Sequence, residues 1–156
     1  MAKVKEKLLI SSCLMGNKVR YDGSGQLIDQ IETLKEHFKL IVICPEVAGG
    51  MFTPRAAAEI ILDLKDQIPV IKDNQGKDVT GYFQKGAQKA LALCQKHKIK
   101  YALLKERSPS CGSNFIYDGS FQGKVIEGDG ITARLLKKHG IKVYSEETID
   151  QLLKNI

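Results

Sequence analysis

Three cysteines stand in short loops suited to a site rather than to a core: Ser11-Ser12-Cys13, Cys44-Pro45-Glu46 leading to Gly49-Gly50, and Ser108-Pro109-Ser110-Cys111-Gly112. Thiolates are soft donors. Three of them together suit zinc with an open fourth position, or a four-iron cluster with one iron free of protein ligands. Either vacancy is a place for substrate. The chain has no close C-x₂-C knuckle of the kind structural zinc sites favour, which tilts the choice towards the cluster while leaving both open. The remaining cysteine, Cys94, falls on the apolar stripe of a helix and reads as core.

Around these thiols lie groups able to act on a bound molecule. Glu46 follows a ligand cysteine by two residues, so its carboxylate is a candidate general base, although it would equally cap a helix or pair with Arg55. Ser108 and Ser110 offer hydroxyls to a thiolate or a substrate, or simply fix the turn. Gly49 and Gly50 let backbone amides approach a ligand. Arg20-Tyr21-Asp22 reads as a polar loop facing the same edge, and Arg55 and Arg107 add planar forks suited to phosphate or a carbonyl oxygen. Gly128-Asp129-Gly130 is a weak anion-binding signal and more simply a turn. His37, His97 and His139 fall near helix ends, away from every cysteine.

The elements that must position these groups are legible from hydrophobic patterning. Leu8 to Ile10, Leu40 to Ile43, Tyr101 to Leu104 and Ile141 to Tyr144 are continuous apolar runs, as strands buried on both faces require. Helical stripes separate them: Leu27, Ile31, Leu34 and Phe38; then Phe83, Ala87, Ala90, Leu91 and Cys94; then Thr132 to His139 ended by Gly140; and finally Glu146 to Leu153. Alternating strands and helices imply an α/β fold with a three-layer, Rossmann-like parallel sheet. Ligands then sit at the carboxyl ends of the strands, where Cys13, Cys44 and Cys111 all fall. Ile68 to Val79 and Phe115 to Val125 read as β-hairpin excursions turning at Asp73-Asn74-Gln75-Gly76 and Asp118-Gly119.

At 156 residues, 43% hydrophobic and 27% charged, the chain reads as one globular domain over 1–156. The apolar stretch after the charged N-terminus is too short for a signal peptide or membrane span, so a reducing cytoplasmic setting is expected, where cysteines serve as ligands rather than disulfides. The net charge of +6 admits an RNA partner, but the lysines are scattered and aromatics are only 6%, which favours small anionic ligands.

Taken together, Ser12-Cys13-Leu14-Met15-Gly16, Val19-Arg20-Tyr21-Asp22-Gly23, Cys44-Pro45-Glu46-Val47, Pro54-Arg55 and Ser108-Pro109-Ser110-Cys111-Gly112 resemble the family first described as domain of unknown function 523. Its characterised members are thiouracil desulfidases. The similarity continues through Ile116 to Gly119, Gly128 to Leu136 and Gly140 to Glu146, and so covers nearly the whole chain. The resemblance implies that Cys13, Cys44 and Cys111 hold a [4Fe-4S] cluster whose fourth iron takes the sulfur of a thiolated pyrimidine base or nucleotide. It also implies that Glu46 activates water and that Ser108 assists with protonation or orientation, giving the oxo-pyrimidine and hydrogen sulfide. The competing readings are an iron-sulfur or zinc protein that binds thiolated RNA, and a non-catalytic metal-stabilised domain. Two departures stand out. Ala56-Ala57-Ala58 replaces a segment that often contains proline, which is expected to reshape the pocket wall, and Val19 stands where many members carry cysteine.

Overall fold

The computed structural model describes residues 5–62 and 69–156. Met1 to Val4 and Ile68, where the first predicted hairpin begins, lie outside the described residues. Four strands, β1 (Glu6–Ser11), β2 (Phe38–Ile43), β5 (Tyr101–Leu104) and β8 (Lys142–Ser145), form one parallel sheet in the order β2-β1-β5-β8. Between the central strands fall α1 (Ile31–His37), α2 (Pro45–Ala48), the antiparallel pair β3 (Ala58–Leu62) and β4 (Pro69–Asp73), and α3 (Thr80–His97). After β5 come the antiparallel pair β6 (Phe115–Tyr117) and β7 (Val125–Glu127), then α4 (Ile131–Lys138); α5 (Ile149–Lys154) follows β8.

Side chains alternate across a strand, and here both faces are covered. Leu8, Ile10 and Leu103 pack with Leu34, Ile149 and Leu152 of α1 and α5, while Leu9, Ala102 and Leu104 pack with Ala90, Cys94, Ala133 and Leu136 of α3 and α4. Leu8, Leu9 and Ile10 are fully buried, each contributing roughly 1.5–3 kcal/mol of hydrophobic stabilisation. A third cluster, Ile60, Ile71, Val79, Phe83 and Ile116, seats the two hairpins against α3. The expected three-layer α/β sheet with hairpin excursions is what the chain forms. Among the described residues no helix is long and apolar enough to cross a membrane.

Two elements differ from the expectation. The stripe beginning at Leu27 does not start a helix: α1 begins at Ile31, Leu27 is 66% exposed, and Phe38 opens β2. The segment before α1 is instead held against the first turn by backbone bonds from Gln26 to the Cys13 carbonyl at 2.7 Å and from Ile28 to the Leu14 carbonyl at 3.1 Å. The first hairpin is also built differently. Strand β4 takes β3 as its partner, and the turn at Asp73 to Lys77 returns the chain for a single bridge, Lys72 to Asp78.

Candidate metal centre and cavity

The strand order places a topological switch between β1 and β5, because the chain leaves β1 on one side for β2 and returns on the other for β5. A cavity of about 580 Å³ opens there, and Cys13, Cys44 and Cys111 all line it. All four cysteines of the chain are free thiols.

Each loop that carries a cavity cysteine is fixed by contacts of its own. Cys13 sits on a 3-10 turn (Ser12–Met15) whose end is set by Gly16 at φ 89°, and its carbonyl accepts the Gly16 N–H at 3.0 Å as well as that of Gln26. Cys44 precedes α2, where Pro45 at the first helical position supplies a preset φ. Helix α2 lies hard against α3: a Cβ on Gly86 would fall 1.9 Å from the Pro45 carbonyl oxygen, and one on Gly49 would fall 2.0 Å from that of Tyr82. In the third loop the Ser108 hydroxyl accepts the N–H groups of Ser110 and Cys111, both at 3.1 Å. Its own proton remains available to donate. The loop's carbonyls cap α4: Pro109 accepts from Ile131 at 2.9 Å, and Ser110 from Thr132 at 2.8 Å. The Gly128-Asp129-Gly130 segment therefore serves this loop and is no open anion site.

Burial pushes the Cys13 thiol up to about 11, with the neighbouring Cys44 adding to it. Cys44 and Cys111 are also raised, chiefly by burial. Without metal the thiols stay protonated near neutrality, and loading displaces protons. Among the described residues no three Cys, His, Asp or Glu side chains converge on a point where one ion could sit. A donor set of three soft thiols, without imidazole, fits the cluster.

Glu46 lines the cavity with its side chain 19% exposed. Burial raises its carboxyl, opposed by the Arg55 guanidinium, whose Nη2 lies 3.2 Å from Glu46 Oε2. Arg55 itself does not line the cavity. It ties its own loop to that of Val19, donating to the carbonyls of Val19 at 3.1 Å and Phe52 at 3.2 Å and to the Thr53 hydroxyl at 3.0 Å, while its Nε is buried without a partner.

Of the other candidates, Arg20, Tyr21 and Ser108 line the cavity, as do Val19, Ala57 and Ala58. Arg20 is the one lining cation among the described residues with no carboxylate at ion-pair distance; Lys105 pairs with Glu146 at 2.8 Å and Arg107 with Glu147 at 3.2 Å. Five residues expected to contact substrate do not line the cavity. Ser110 is fully buried and its hydroxyl meets Thr132 Oγ1 at 2.7 Å. Asp22 is spent on Ser24, whose N–H and hydroxyl it accepts. Gly49 and Gly50 pack against Tyr82. Arg55 meets the cavity lining through Glu46 and the Val19 carbonyl.

Sequence reasoning missed Glu106. It is 1% exposed and borders the cavity, and its carboxylate accepts N–H groups from Ser113, Asn114 and Phe115 at 2.9–3.0 Å and the Asn114 side-chain amide at 3.1 Å. A carboxylate opening a loop of Ser, Gly and Asn is the signal that could have found it.

The model of a family described as 2-thiouracil desulfurase matches residues 8–148. A Bacillus subtilis (strain 168) relative, the uncharacterized protein YbbK, is 43% identical over 150 residues, covering 94% of this chain and 99% of that protein. The solved structure of a [4Fe-4S]-dependent thiouracil desulfidase, TudS, superposes with a TM-score of 0.87 at 42% identity, covering 97% of each chain.

Proposed function

From the premise that this chain belongs to the 2-thiouracil desulfurase family, we propose that it is a [4Fe-4S]-dependent desulfidase converting a thiolated pyrimidine and water into the oxo-pyrimidine and hydrogen sulfide. One observation carries the reading: three free thiols from three different loops and an arginine-held glutamate meet in one cavity at the sheet's switch point. Cys13, Cys44 and Cys111 are the residues that would hold the cluster. When bound, the cluster supplies Lewis acidity at an iron free of protein ligands, soft enough to accept sulfur.

The chain's own residues supply the rest. Glu46 takes a proton from water and directs its oxygen to the carbon bearing sulfur. Arg55 holds that carboxylate in place and keeps its second oxygen from rotating away. Ser108, its oxygen occupied as an acceptor, keeps its proton and donates it as a hydrogen bond to the ring atom on which negative charge develops. A C–O bond forms and the C–S bond breaks; both protons of the attacking water end on the departing sulfur, one of them by way of Glu46, giving hydrogen sulfide with no exchange of electrons. Arg20, unpaired at the cavity, is the cation left for an anionic or carbonyl oxygen of a base or nucleotide.

The test is anaerobic reconstitution followed by incubation with 2-thiouracil and 4-thiouracil. Sulfide release is expected from the wild type, with iron retained and turnover lost in Glu46→Ala. Iron is expected to be lost in Cys13→Ser, Cys44→Ser and Cys111→Ser but kept in Cys94→Ser. Full turnover by Glu46→Ala, or zinc in place of iron, would refute the proposal.

A further inference from the structure

Two residues other than glycine that line the cavity hold left-handed backbone, Arg107 at φ 66° and Phe121 at φ 58°. Arg107 is accounted for by its backbone bridge to Ile116 and by its N–H on Glu106 Oε1 at 3.4 Å. Phe121 is not. That conformation suits glycine or asparagine and is strained for a bulky side chain. Nor does core packing explain the ring, which is 37% exposed.

The loop carrying it is fixed from outside. Glu59 on β3 accepts, through a single oxygen, the N–H of Gly119 at 3.0 Å and that of Phe121 at 3.2 Å. Gly119 lies so close to β3 that a Cβ would meet the Ile60 carbonyl oxygen at 2.8 Å. Asp118 closes the turn by accepting the Ser120 N–H at 2.9 Å. The backbone that carries the ring is thus pinned at the cavity, where Tyr21 and Tyr117 supply the other aromatic faces.

We infer that Phe121 is the platform on which the heteroaromatic ring of the substrate stacks, and that Glu59 is the positioning residue that sets the platform. This rests on the reading of the cavity as a thiopyrimidine site. A flat ring offers its π-face whatever its substituents, so exchanging sulfur for oxygen leaves stacking unchanged. Substrate and product are gripped alike, and the contact acts on KM rather than on kcat.

The experiment uses reconstituted holoenzyme, with steady-state turnover of 2-thiouracil and calorimetric binding of its oxo product, uracil. Phe121→Ala raises both KM and the uracil Kd about tenfold, with kcat moved less than about twofold, and Phe121→Trp recovers both. Glu59→Ala moves KM and Kd the same way, and the double variant loses no more than the worse single variant, because Glu59 acts through the loop. Glu59→Gln, whose amide oxygen still accepts both N–H groups, recovers most of the loss. Unmoved KM and Kd in Phe121→Ala beside an active wild type, or additive losses in the double variant, overturn the inference alone. A fully loaded wild type that turns over no thiopyrimidine overturns the functional reading, and the inference with it.

Discussion

Protonating Glu106 removes the charge that organises the loop bearing Ser108 and Cys111. Burial alone would raise this carboxyl, but N–H groups of Phe115 and Asn114, the Ser145 hydroxyl and the Asn114 side chain overcome it and hold it at about 2, against an ordinary 4.5. Because the folded value is the lower one, the unfolded chain binds the proton first. The stabilisation is complete above pH 4.5 and is lost as pH falls through about 2. The gap is worth about 3 kcal/mol, of which about 2 kcal/mol is gone by about pH 3. Urea unfolding of the reduced, cluster-free chain at about pH 7 and about pH 3 measures it, comparing the wild type with Glu106→Gln, in which this position no longer titrates. The wild type should lose about 2 kcal/mol more than the variant over that interval. Equal losses would show that the carboxylate is not held by these donors, and the account of the loop would fail.

Gly86→Ala drives a Cβ into the Pro45 carbonyl; a cost of about 1–3 kcal/mol is expected, seen as a lower melting temperature together with reduced iron loading, since Cys44 rides on α2. Ser110→Ala removes a buried hydroxyl pair with Thr132 and should cost about 1 kcal/mol in urea unfolding, with KM unchanged, whereas Ser108→Ala lowers kcat. Arg55→Met strips Glu46 of its ion pair; about 3 kcal/mol of destabilisation is expected, with turnover reduced and iron content retained on anaerobic assay.

The parallel sheet was legible because strands buried on both faces must be continuously apolar, and Leu8 to Ile10 and Tyr101 to Leu104 are. Placement of the three thiols followed from the rule that such sheets bind at their carboxyl ends. What the sequence concealed depended on backbone partners. The segment from Gly16 to Gln30 has helical spacing at Leu27 yet is pinned by main-chain bonds to Cys13 and Leu14, which leave no side-chain signature. Ser108 and Ser110 are chemically identical two residues apart, and only burial separates a cavity hydroxyl from a core one. Arg55 reads as a substrate fork, but the two loops it ties together are remote in sequence. Glu59 and Phe121 are 62 residues apart, and nothing local links them.

The intervals between the three cavity cysteines also follow from the topology. Cys13 and Cys111 come from the two strands flanking the switch point, and Cys44 from the strand beyond, so the crossovers α1 and α3 set their spacing. A zinc knuckle draws two ligands from one turn and cannot hold its shape without metal. Here each loop has a support of its own: two N–H donors on the Cys13 carbonyl, the α2–α3 contact at Pro45 and Gly86, and the Ser108 hydroxyl under the Cys111 amide. None of these supports passes through the metal. Metal loading at these thiols would displace protons that burial holds on them. Stability of the sheet and occupancy of the site are then separable quantities, and a cysteine variant that empties the site should leave the cooperative unfolding of the sheet in place.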